Sequence, residues 1–230
     1  MWNGTQWVPN PNRPVVYPPV SAPYESAAAR AGFAAILIYS NIAGIVLLSA
    51  FSVVNDLMPN PNDNQTLVVG LLAVVAALAY FGTFIAAIVF FCMWLHRIVR
   101  NMPALGAPDP RWSPTRAVVY CFIPIIWLVH PLWSVLDAWR GADTSRRWLD
   151  RGARRMLRAP QLMVGWWAAW LIGGYVTNIA GRINGSAAVA LDVIGGLAQI
   201  VAAVLVVMVI REVTARQDKK NELITSGQLV

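Results

Sequence analysis

Residues 117–139 read AVVYCFIPIIWLVHPLWSVLDAW. The run is apolar and exceeds the roughly 20 residues that a helix needs to cross a bilayer. It also contains Pro124 and Pro131. Arginines crowd both ends, with Arg97, Arg100, Arg111 and Arg116 before it and Arg140, Arg146 and Arg147 after it. Whether this run crosses or turns back decides the topology of the rest.

Working outward, the 230-residue chain is 57% hydrophobic and only 13% charged, with a mean hydropathy of +0.54. Soluble domains carry about 25% charged residues, so the composition is that of a membrane protein. The net charge is +7 and the pI about 10.0. The basic residues lie in short segments beside apolar runs. That placement points to anionic lipid headgroups as partners and not to nucleic acid.

Four clean spans are expected, at about 32–54, 67–95, 161–181 and 187–210. Ser40 and Gly44 in the first form a small-xxx-small pair, and Asn41 calls for a neighbouring helix as partner. Trp166, Trp167 and Trp170 open the third in the manner of interface aromatics. Residues 1–30 form a Pro/aromatic-rich tail without a signal-type apolar core, read as disordered or as a docking segment. Residues 31–210 are the membrane domain, and 211–230 a polar tail.

If 117–139 crosses fully, there are five crossings and one arginine-rich flank lies on the wrong face. If it enters and returns, there are four. Both termini and both basic loops then face the cytoplasm, and Arg182 is the only basic residue left outside. Pro124 and Pro131 disfavour helix and permit such a return, which membranes tolerate where protein buries the backbone. Ser113-Pro114 is a helix start, Ser as N-cap and Pro at the first position. In 144–159 a basic amphipathic helix is expected in the headgroup plane. Arg147, Arg151, Arg154, Arg155 and Arg158 lie on one side, with Trp148, Leu149, Gly152, Met156 and Leu157 on the other. The alternative is a charged face packing on the protein's own loops. The fold class is thus all-α: a polytopic bundle of four transmembrane helices, a Pro-broken re-entrant or interfacial hairpin and a basic amphipathic helix.

These residues resemble a family. Trp94, Arg97, Arg100-Asn101, Leu105, Arg111-Trp112-Ser113-Pro114, Phe122-Ile123-Pro124-Ile125, Pro131, Trp139-Arg140 and Trp166-Trp167 with Trp170 look like the bacterial membrane domain-of-unknown-function family 4328. The likeness is densest between residues 91 and 171. It implies a bacterial inner-membrane, multi-pass protein with a Pro-rich tail, and no known reaction. The chain departs from the pattern at His130-Pro131-Leu132-Trp133, where the family shows a basic residue, Pro and Tyr. Its 141–160 segment is also more basic.

No catalytic motif, metal-ligand spacing or cofactor box occurs, so neither an enzyme nor a bound cofactor or metal is expected. Cys92 and Cys121 lie in apolar runs as small hydrophobes. The expected function is a membrane-embedded interaction or scaffold protein, or an accessory subunit, partnered by anionic lipids and by other membrane subunits or itself. Candidate contacts are Phe122, Pro124, His130, Pro131 and Trp133, with Arg147, Trp148, Arg151, Arg154, Arg155 and Arg158. The alternative is a small oligomeric channel or carrier. It would use the hairpin and an intramembrane polar group of Asp192, Arg182 and Asn178, of which the plainer reading is a pair tying the last two helices.

Overall fold

The computed structural model describes residues 23–57, 62–146 and 150–229. The regular structure among them is all helical: α1 Ala28–Leu57, α2 Asp63–Arg100, α3 Pro114–Val119, α4 His130–Gly141, α5 Arg151–Met156, α6 Gln161–Ala180 and α7 Ser186–Thr225. The first 22 residues of the expected tail lie outside this set, as do Arg147 and Trp148.

Stretches of α1 (Ala28–Leu48), α2 (Asn64–Arg100) and α7 (Ser186–Thr225) are long and apolar enough to cross a membrane. At 1.5 Å per residue, the 38 residues of α2 and 40 of α7 reach about 57 and 60 Å, beyond the roughly 30 Å hydrocarbon core. The fourth expected span, α6, has 20 residues. Its three tryptophans, Tyr175 and Asn178 leave it outside that set of three.

Two antiparallel pairs form the body, α1 with α2 and α6 with α7, joined mainly along α1 and α7. Asn62 caps α2, and its side chain and that of Gln65 satisfy each other's backbone N–H groups. Between α1 and α2, Asn41 Nδ2 donates to Thr83 Oγ1 at 3.0 Å, the interhelical partner that its position calls for. Gly44 backs onto the Tyr80 ring, which a Cβ there would meet at 3.0 Å, while Ser40 bonds only its own helix at Ile36. α6 and α7 approach closely at Gly195. A Cβ there would lie 2.9 Å from Thr177 N and 3.3 Å from the Gly173 carbonyl.

The core gathers at one end, here called the base. Trp94, Leu95, Ile98 and Met102 of α2 and the segment after it are fully buried against Val209, Ile210 and Val213 of α7 and Ala27, Ala31 and Ala34 at the start of α1. Polar side chains are buried there as well. Trp94 Nε1 donates to Thr214 Oγ1 at 3.0 Å. Gln217 donates to the Ile98 carbonyl at 2.9 Å and accepts from Asn101. Lys220 Nζ donates to the Gly141 carbonyl at 3.0 Å. The polar tail read from residue 211 is therefore corrected: α7 continues to Thr225. Ile210, Val213, Thr214, Gln217 and Lys220 share one buried stripe at helical spacing.

Candidate functional site: a braced hairpin beside an aromatic chamber

The 117–139 run is not one helix. Ser113 caps α3, accepting from Arg116 N, with Pro114 in the first turn. The helix ends at Val119, and two 3-10 turns follow, Tyr120–Phe122 and Ile126–Leu128. Ile123, before Pro124, is extended as proline requires of its predecessor. Ile125 then takes φ +71°, a conformation that a β-branched residue rarely adopts. Such strain persists only where the surroundings over-determine it. Pro131 does not hinge the chain: it sits in the first turn of α4, which begins at His130, where a missing N–H costs nothing.

The two limbs return side by side. His130 Nε2 lies 3.0 Å from the Ala117 carbonyl, a bond that assigns the proton to Nε2, and 3.1 Å from Ser134 Oγ. Trp112 and Tyr120 cover the imidazole at 5.3 and 5.1 Å. Burial holds the ring below its ordinary pKa range, the Ala117 bond opposing and Arg111 adding to the effect. Arg111 N donates to Asp137 Oδ2 at 2.7 Å, and the Arg111 guanidinium lies over Trp133 at 4.2 Å. Trp167 Nε1, two turns into α6, donates to the Leu128 carbonyl at 2.9 Å and pins the bend to the bundle.

At the base the brace is ionic. Arg154 is fully buried. Its Nη1 donates to Asp109 Oδ1 at 2.8 Å, Nη2 to the Asp109 carbonyl at 2.6 Å, and Nε to Asp137 Oδ1 at 3.2 Å. One guanidinium thus ties the proline-rich loop to α4, using the planar fork that lysine lacks. Arg151 also reaches Asp109. Arg216 of α7 pairs with Asp143 at 3.0 Å and lies over Trp139, whose indole donates to Glu212 at 2.8 Å.

The expected basic helix is corrected by these bonds. Asp150 caps a helix of six residues only, and Leu157 is already extended. Asp143, expected near the start of that helix, instead closes a turn on Ser145 N. Arg154 faces the interior and is no headgroup ligand. Arg155, Met156 and Arg158 remain exposed. His130 and Pro131 are buried, so they support the hairpin and do not face a partner, whereas Phe122, Pro124 and Trp133 face outward. Ile125, read in the sequence only as part of the family pattern and not as a contact residue, is 79% exposed at the tip.

Behind the tip lies a chamber of about 470 Å3, within the range of small-ligand sites. Phe122, Trp127 and Pro131 close one side, with Trp166, Trp167 and Trp170 of α6 and Phe84 and Phe91 of α2 around the rest. Trp127 meets Trp170 edge-on at 5.0 Å. Sequence reading took the α6 tryptophans as interface markers, and only their spacing of one, three and four hinted at a shared face. Toward the far end a wider cleft of about 1070 Å3 is lined by Asn178, Arg182 and Asp192 together with Tyr80, Phe84 and Trp170. The three polar residues do share one cleft. All are exposed, and among the described residues no ion pair joins Asp192 to Arg182. No group of His, Cys, Asp and Glu suited to a metal ion occurs among the described residues.

No curated protein and no solved structure matches the chain. A family model does, the one described as Domain of unknown function (DUF4328), over residues 62–215. That stretch runs from the cap of α2 to the base of α7 and takes in the hairpin, the Arg154 brace and most of the chamber wall. It covers about two thirds of the chain, and the protein therefore belongs to the DUF4328 family.

Proposed function

We propose that the protein is a four-crossing, multi-pass protein of the bacterial inner membrane and acts there as an interaction or accessory subunit. α6 is the fourth crossing, and both termini and both arginine-rich segments face the cytoplasm. Charge placement supports this sidedness. The hairpin enters from that side and returns. No catalytic role is proposed.

One observation carries the interaction reading: the hairpin is tightly braced yet presents its apolar tip outward. His130, Asp137 and Trp167 fix its backbone, while Ile125, Phe122 and Trp133 stand exposed. Rigid, outward aromatic and aliphatic anchors, with an arginine over one of them, are the composition of binding hot spots. Arg155 and Arg158, flanking exposed Met156, suit anionic headgroups.

The test is a photo-reactive amino acid placed at Ile125 or Trp133 in cells. A discrete protein adduct from these positions, and none from the exposed Leu78 of α2, is expected. Equal adducts from all three, or none, would remove the reading. The cleft holding Asp192 and Asn178 favours a second reading, an oligomeric channel or carrier. That reading expects solute flux in liposomes that Asp192→Asn abolishes.

A further inference from the structure

We propose that the cleft and the chamber form one site for a phospholipid with a phosphoethanolamine headgroup. The two spaces adjoin, and Ile45, Tyr80, Phe84, Trp170, Gln199 and Ile200 line both. The combined space has a polar mouth and an apolar interior. At the mouth stand a cation, Arg182, and an anion, Asp192, with Asn178 beside them. The two charges do not neutralise each other by direct pairing among the described residues. A zwitterionic headgroup answers both, with phosphate on the guanidinium and a hydrogen-bonding primary ammonium on the carboxylate. An anionic headgroup satisfies only Arg182 and is repelled by Asp192. A quaternary ammonium has no N–H to donate.

Depth agrees with the assignment. Asp192 and Arg211 are 19 residues apart on α7, about 28 Å at 1.5 Å per residue. If Arg211 marks one interface, Asp192 lies near the other. Ala202, in the chamber wall, is ten residues deeper than Asp192, about 15 Å. Half of a roughly 30 Å hydrocarbon core is that same depth, the reach of one acyl chain from its own leaflet. Gly174 and Gly196 line the cleft between mouth and chamber, and Gly196 has no atom within 4 Å of where a Cβ would lie, which leaves a chain room to pass.

The test uses the full chain in nanodiscs of equal parts phosphatidylethanolamine, phosphatidylglycerol and phosphatidylcholine, released for native mass spectrometry. Phosphatidylethanolamine is expected to be retained about tenfold over either other lipid, the worth of one charge-assisted hydrogen bond. Arg182→Ala and Asp192→Asn should each reduce that preference severalfold. Ala203→Phe, which fills the chamber, should abolish retention. If that variant does not fold, the two exposed charge variants still decide. Equal retention of all three lipids, or no retention, overturns the proposal. So does a phosphatidylglycerol preference lost with Arg182→Ala alone, or a phosphatidylethanolamine preference that survives both charge variants.

Discussion

The two ends of this molecule are built differently. At the base, Trp94, Asn101, Gln217 and Lys220 are buried and hydrogen-bonded across α2, α4 and α7. Away from it, α1 and α2 show apolar faces such as Leu71, Val75, Leu78 and Phe81 to their surroundings, and a cleft separates them from α6 and α7. Between helices in lipid, apolar area supplies little drive, because acyl chains are as apolar as leucine. Polar bonds and close approaches of small residues hold such helices together, and these lie at the base and at Gly44 and Gly195. Elsewhere, open apolar faces cost nothing in lipid and leave room for ligands. The base fixes the fold, and the far half supplies the space.

Substitutions can break this contrast. The largest effect is expected for Arg154→Leu, which takes the guanidinium from Asp137 and Asp109 and leaves the Arg111 N–H bond to Asp137 to hold the 101–113 loop on α4. A loss of about 3 kcal/mol in detergent unfolding is expected, and an unchanged Tm would show that the brace is not structural. Gln217→Leu, which removes bonds to Ile98 and Asn101, should cost about 2 kcal/mol by the same assay. Adjacent glycines give a paired test. Gly195→Ala must displace Thr177 and should cost about 1–3 kcal/mol. Gly196→Ala, with open space around it, should be neutral or stabilise by up to about 1 kcal/mol. Equal losses would mean that the cleft is closed.

A pH effect belongs to the base as well. Burial pushes Lys220 down to about 8 from its ordinary 10.5, with Asp143 opposing and Arg216 and Arg154 adding to the effect. Between those values the unfolded chain holds the proton and the folded chain does not, so Lys220 makes stability rise with pH there. Below about 8 both states are protonated and its contribution is flat. Urea titrations from pH 7 to 10.5 should show the rise, and Lys220→Met should remove it. The smallest effect is expected at the mouth of the cleft, where Asp192→Asn should move stability by less than about 0.5 kcal/mol.

Hydropathy placed the long helices to within about five residues at every end but the last, where α7 runs past the expected 210 to Thr225, and Pro124 and Ser113-Pro114 foretold the break in 117–139 and the start of α3. The missed features depend on partners distant in the chain. Arg154 fits the basic face of a surface helix until Asp109, 45 residues away, and Asp137 draw it inward. Among the described residues, that capture and the Asp143–Ser145 turn leave six helical residues where a longer helix was expected. The end of α7 reads as polar by composition, yet its stripe from Ile210 to Lys220 was visible as a period. Asp192 and Arg182 come from either side of the α6–α7 connection and share one cleft, but that proximity does not aim two side chains at each other.

In the proposed topology the hairpin returns, which places both arginine-rich flanks on one side of the membrane. Single cysteines at Thr115 and Ser145, both exposed, test it in a background with Cys92 and Cys121 replaced. An impermeant maleimide added to intact cells should label neither, and both should react after the inner membrane is opened. Labelling of one of the two from outside would mean that 117–139 crosses, and would contradict the account.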